Sequence, residues 1–231
     1  KSWLAAARRP VMATVTASDR AVTDQKLQAD HFERVDESAD SLFYEEPRLV
    51  KHIDDPACEA LTDYFRDHLP EDGAILDLMS SCVSHLPTDV SYERVCGLGM
   101  NKVELDANPQ LTDYLVHDLS ITPKLPFLED EFDACIISVS VQYLIHPIEI
   151  FSEISRVLKP GSPCAVSFSN RMFPTKAIAI WRAMDDMNHA RLVGYYFVEA
   201  GGFAEPVFTD LSPNPGRSDP LFLVSGRCMS P

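Results

Sequence analysis

The 231-residue chain has no apolar run near the roughly 20 residues that a membrane-crossing helix needs. Its longest candidates, 134–141 and 164–168, are strand-length. Basic clusters are missing too. With 35 acidic residues against 20 basic ones the formal net charge is −15, which argues against a nucleic acid partner. That acidity suits solubility and docking onto a basic protein surface. Paired metal ligands are also lacking. The six cysteines, at 58, 82, 96, 135, 164 and 228, form no C-x-x-C pair, and the seven histidines form no H-x-x-x-H pair. Buried free thiols in a reducing compartment are therefore expected, with no disulfide framework and no metal site. Glycine is absent where a nucleotide-binding α/β protein most needs it. None lies between Gly73 and Gly97, so the turn after the strand-like Ile75-Leu76-Asp77-Leu78 reads Met79-Ser80-Ser81-Cys82-Val83.

A hydrophobic content of 45% supplies one α/β domain with a sizeable core. Residues 1–18, "KSWLAAARRPVMATVTAS", carry Lys1, Arg8 and Arg9 and no acid. Their composition matches the end of an organelle transit peptide, and an irregular arm is the alternative. Residues 1–41 are taken as an N-terminal arm or helical extension, with Leu27, His31, Phe32 and Val35 on one helical face. The main domain is placed at 42–231. Asp54 or Asp55 followed by Pro56 predicts a helix start, and Pro70 its end. Strands are predicted at 74–79, 93–98, 114–117, 132–140, 163–169, 204–210 and 220–227. Ile148, Phe151, Ile154 and Leu158 mark a helix that Lys159-Pro160-Gly161 ends. Residues 175–200 read as one or two helices closed by Gly201-Gly202. Such alternation implies a largely parallel sheet with helices on both faces. "LSPNPGRSDP" is too short for a crossover helix, so the last two strands should pair antiparallel.

Several segments resemble one family. "SRVLKPG" (155–161), "LPFLEDEFDACIISVSVQYLIHP" (125–147) and "VEAGGF" (198–203) are similar to landmarks of the class I S-adenosylmethionine-dependent methyltransferases, in their small-molecule type 11 (UbiE-like) branch. "DLMSSCVSHLP" (77–87) and "VCGLGMN" (95–101) resemble a plant, algal and cyanobacterial subset with a degenerate first motif. The resemblance covers residues 42–227. It implies a Rossmann-like seven-stranded methyltransferase sheet, mostly parallel with a C-terminal antiparallel hairpin. It implies S-adenosylmethionine as cofactor, a small-molecule substrate and a chloroplast or other plastid compartment.

The family's acid-x-Gly-x-Gly-x-Gly pattern, set from Asp77, puts Met79, Ser81 and Val83 at the glycine positions. Each adds a side chain where backbone approach is wanted, and Pro87 cuts short the helix that should follow. The ribose-binding acid of the family becomes Gly99, for which Asn101 or Glu104 is the substitute. Asp118, with Leu119 after it, matches the adenine-contacting position, although a turn cap is an equal use for such an Asp. Ser80, Ser81 and Ser84 are expected to compensate by binding a carboxylate. His85 and Tyr143 are the catalytic candidates, His85 as general base and Tyr143 more as a pocket wall. Gln142, Asn170 and Arg171 are the substrate-side candidates. Residues 42–54 lie where the family places a lid, with Phe43 and Tyr44 available to close it. Two alternatives stay open. One is a non-catalytic scaffold subunit of a larger, chloroplast photosynthetic assembly. The other is a ligand-sensing module without turnover. A crevice filled by Met79 and Cys82 would favour the scaffold; an open one would favour binding.

Overall fold

Short buried runs alternate with amphipathic helices, and the chain folds accordingly. The computed structural model describes residues 11–14 and 27–230. The strands are β1 (Val11–Thr14), β2 (Ala74–Leu78), β3 (Arg94–Gly99), β4 (Asp113–Val116), β5 (Ala134–Ser138), β6 (Pro163–Phe168), β7 (Val207–Asp210) and β8 (Phe222–Arg227). The helices are α1 (Asp40–Phe43), α2 (Asp55–His68), α3 (Lys102–Asp106), α4 (Pro147–Val157), α5 (Ala179–Arg182) and α6 (Asp186–Ala200). One sheet runs β1-β7-β8-β6-β5-β2-β3-β4. Strands β2 to β6 are parallel, and β8 lies antiparallel to both β6 and β7. All seven predicted strands are present, with the antiparallel pair at the end.

The sheet faces are buried for the reason the periodicity gives. Every residue of β2 is buried. One face packs under α4 and α6 through Phe151, Ile154, Val193 and Phe197, and the other under α2 through Leu61 and Phe65. Truncating a fully buried side chain such as Phe65 to alanine costs about 3–5 kcal/mol. Helix α2 starts as predicted, with Asp54 Oδ1 accepting from the Ala57 N–H at 3.1 Å and Pro56 in the first turn. Helix α6 stops at Gly201 and Gly202, whose φ of +69° and +75° suit glycine. Among the described residues no helix is long and apolar enough to cross a membrane.

Three expectations need correction. An eighth strand, β1, pairs antiparallel with β7 and covers what would otherwise be a free sheet edge. The rest of the proposed transit segment, and the start of the predicted face at 19–40, lie outside the described residues. From Leu27 onward that face is not a helix. A single 3-10 turn, Ala29–Phe32, is followed by an extended strap. The strap's backbone bonds elsewhere: the Ala179 N–H donates to Glu33 O and the Asp36 N–H to Thr175 O, both at 2.8 Å. A helix would have consumed those groups. Leu27 and Phe32 still pack on the core, whereas Val35 is 64% exposed. Finally, no helix forms between β2 and β3, where even a short one was expected.

Candidate functional site

The strand order reverses between β2 and β5, and ligands bind beside strand C-termini at such switch points in open α/β sheets. A cavity of about 550 Å³ opens there. Because β4 and β6 flank β2 from opposite sides, it runs from Asp118, Leu119 and Ser120 to Arg171, Phe173 and Asp219. Residues 48–54 border it as well. The crevice is open. Met79 forms part of its wall, and Cys82 does not line it.

The loop after β2 keeps a glycine-like backbone without the glycine. Met79 has φ +59°, the left-handed conformation that glycine adopts freely. The serines expected to bind a ligand carboxylate are spent inside the protein. Ser80 Oγ and Ser84 Oγ both donate to Asp77 Oδ2 at 2.6 Å, and Ser81 Oγ donates to Glu104 Oε2 at 2.6 Å. Asp77 is only 2% exposed, and burial pushes its carboxyl up to about 6 against the pull of the two serines.

Gly99 has a physical role of its own. A methyl group there would collide with the Ser80 carbonyl oxygen, so the bare backbone lets the β2 loop lie against β3. Asn101 is unavailable as a ribose ligand. Its Oδ1 accepts from Val103 N and Glu104 N, and its Nδ2 donates to Tyr44 O and Glu45 O. Those bonds use its full capacity, capping α3 and tying it to the lid. Glu104 accepts from the Arg48 N–H at 2.6 Å, a second tie to the lid.

Asp118 keeps spare capacity. Its Oδ1 takes the Ser120 N–H and hydroxyl, while its buried Oδ2 has no partner although the residue lines the cavity. A ligand amino group would satisfy it. Ser138 Oγ and Ser140 Oγ are likewise buried, unpartnered and in the lining residues. Between them Val139 holds φ +52°, a rare conformation for a β-branched residue.

The catalytic and substrate candidates divide. His85 lines the cavity and is buried, not a surface residue, and burial lowers its imidazole to about 4. Tyr143 also lines it, but its hydroxyl accepts from the Phe173 N–H at 2.8 Å and burial raises its pKa. That hydroxyl is thereby engaged with the Phe173 backbone. Arg171 reaches the cavity with its Nε donating to Asp219 Oδ1 at 2.8 Å. Gln142 and Asn170 do not line it. Gln142 is 1% exposed and donates to Val139 O at 2.9 Å, bracing the strained turn, while Asn170 points to solvent. Of the two residues expected to close a lid, Tyr44 lines the cavity, whereas Phe43 lies under the Arg48 guanidinium and meets Phe173 edge to face. Asp40, paired with Arg34 and the fully buried Lys176, anchors the lid.

Sequence reasoning missed Ser138, Ser140, His52 and Asp219. The only signal was the pair of serines just at and after the end of β5, where ligands gather in such sheets; the left-handed turn at Val139 between them is not legible in the sequence. Asp219 completes the rim through a reciprocal pair: its N–H donates to Asp54 Oδ2 at 2.8 Å, and the Asp54 N–H donates to Asp219 Oδ2 at 3.0 Å. Among the described residues no three His, Cys, Asp or Glu side chains gather as metal ligands.

Comparison with known proteins agrees with this geometry. Residues 73–166 match the family model described as a methyltransferase domain. The matching model is the type 11 methyltransferase domain, and the match spans less than half of the chain. A stretch of 65 residues is 38% identical to the biotin biosynthesis bifunctional protein BioHC of Teredinibacter turnerae, covering 28% of this chain and 11% of that protein. Among solved structures, a chain of the Haloferax volcanii complex with the Trm112 methyltransferase activator superposes with a TM-score of 0.56 at 16% identity, over 84% of this chain and 94% of its own. An S-adenosylmethionine-dependent methyltransferase from Thermotoga maritima gives a TM-score of 0.55 at 15% identity, over 74% and 89%. The [4+2]-cyclase SpnF gives 0.53 at 16% identity, over 74% and 81%. At these identities the structural likenesses speak for the fold alone.

Proposed function

We propose that this chain is an S-adenosylmethionine-dependent methyltransferase acting on a small molecule. The observation that carries the proposal is the open cavity at the switch point, with the unpartnered Asp118 Oδ2 in its lining. The buried Asp118 Oδ2 lacks a donor, which an adenine amino group would supply, and Leu119 beside it offers an apolar face. The glycine-like turn at Met79 supports close passage of a ligand despite the missing glycines. The cofactor, when bound, contributes an already activated methyl group, so alignment supplies most of the acceleration.

The chain's own residues do the rest. Tyr44, Tyr143 and Phe173 wall the cavity and exclude water beside the acceptor. His85 lines the cavity and is the imidazole placed to take a proton from an acceptor hydroxyl or amine, and burial, which lowers its pKa to about 4, makes it a weaker base than a free histidine. Calorimetric titration of the purified chain with S-adenosylmethionine and S-adenosylhomocysteine tests the proposal. Micromolar binding is expected, followed by methyl transfer in a substrate screen. No heat of binding at millimolar ligand would overturn it.

A further inference from the structure

Resting on that cofactor reading, we infer that the amino-acid end of the ligand is held by the hydroxyls of Ser138 and Ser140, at the end of β5, and not by the loop after β2. The cavity-side serines of that loop have no proton left to donate to a carboxylate. Ser80 and Ser84 are committed to Asp77, and Ser81 to Glu104, each at 2.6 Å. The β2–β5 register pairs Leu78 with Ile137, which brings Ser138 alongside Met79 one residue further on. The hydroxyls of Ser138 and Ser140 therefore come from the strand next to the altered loop. Both oxygens are buried without a partner, and both residues line the cavity.

Ser140 is informative in its own right. It occupies the cap position of the 3-10 turn Val141–Tyr143, where a serine hydroxyl ordinarily accepts a backbone N–H, yet it makes no such bond. Its hydroxyl is withheld from the backbone. The turn that separates the two serines is held from both sides. The Val139 N–H donates to Ser167 O at 2.9 Å, and Val139 O accepts from Gln142 Nε2 at 2.9 Å. Strained backbone that its surroundings fix in this way is typical of ligand clamps. Hydroxyls both donate and accept, so a pair of them suits a carboxylate, an ammonium group, or one of each.

The test compares two ligands. S-adenosylhomocysteine carries the amino-acid end; 5′-methylthioadenosine lacks it. Calorimetry is run on the full chain and on Ser138→Ala, Ser140→Ala and the double variant, with circular dichroism and thermal melts to check folding. Hydrogen bonds to charged groups are worth about tenfold in affinity each, so the double variant should bind S-adenosylhomocysteine on the order of a hundredfold more weakly. Its affinity for 5′-methylthioadenosine should stay the same. Equal weakening of both ligands, or no weakening of either, would overturn the inference while leaving the cofactor reading intact. Wild-type protein that binds neither ligand would overturn both.

Discussion

Replacing Asp77 with asparagine should make the protein more stable at neutral pH. The Asp77 carboxyl is buried, and desolvation pushes it from 3.8 to about 6 even with Ser80 and Ser84 donating to it. A gap of about 2 pKa units corresponds to about 3 kcal/mol. The sign follows from the raised pKa. Above pH 6 the carboxylate is charged in both states, and the folded state bears the cost of its burial. Below pH 3.8 it is neutral in both, and the cost is gone. Asparagine mimics the neutral form, because its Oδ1 can still take both serine hydroxyls. Asp77→Asn should therefore exceed the wild type by up to about 3 kcal/mol at pH 7–8, with the margin closing between pH 6 and pH 4. Urea unfolding at half-unit pH steps, with a constant m-value, reads this directly. A variant no more stable at pH 7–8, or a margin flat from pH 4 to pH 8, would refute the assignment of a desolvated carboxylate. A stability gain alongside weaker binding of the cationic S-adenosylmethionine would mark Asp77 as a charge kept for its ligand.

His85 works in the opposite direction over the same window: its pKa is lowered to about 4, so folding stability is lost as pH falls from 6.5 to 4, by up to about 3 kcal/mol. The two effects nearly cancel in the wild type, so Asp77→Asn alone should unmask a steep acid-side loss in the same titration, and His85→Gln should remove it. If His85 is the base, His85→Gln should also lower kcat by about 10²–10⁴ with little change in ligand affinity, once an acceptor is found. Asp118→Ala should weaken S-adenosylhomocysteine and 5′-methylthioadenosine alike by about tenfold in calorimetry, since in the proposed reading its unpartnered oxygen takes the adenine amino group that both share. Gly99→Ala should cost about 3 kcal/mol in urea unfolding, because its methyl group meets the Ser80 backbone and not a flexible side chain.

Strands β2, β3, β5 and β6 were legible because each is a short apolar run, and burial follows that pattern directly; β4, at the sheet edge, was legible by its residue types although it is mostly exposed. The caps were legible for the same local reason: Asp54 and the Gly201-Gly202 stop need only their neighbours in sequence. The site was harder to read. Ser80, Ser81 and Ser84 look like ligand donors in sequence, but their partners, Asp77 and Glu104, are fixed by the chain's path. Gly99 reads as a lost acid until the Ser80 carbonyl is seen against it. Gln142 has the chemistry of a substrate contact, yet it turns inward to hold Val139. The strap at 33–36 has helical spacing, but long-range backbone bonds to 175 and 179 overrule it. For Ser81, Gly99 and the strap the deciding partner is remote in sequence; for Ser80, Ser84 and Gln142 it lies three to seven residues away, but the left-handed turns at Met79 and Val139 that bring it into reach carry no glycine to announce them.

The reciprocal Asp54–Asp219 pair bears on when the cavity comes into being. It joins two residues 165 positions apart, each backbone N–H donating to the other's carboxylate. The parallel strands β2 to β6 are complete by Phe168, long before Asp219 leaves the ribosome. During synthesis, then, the sheet precedes its own rim, and contacts of such long range are the last to be rewarded. Competence to enclose a ligand therefore waits on the final hairpin: some 50 residues must follow the last parallel strand before Asp219 can meet Asp54 and close the rim.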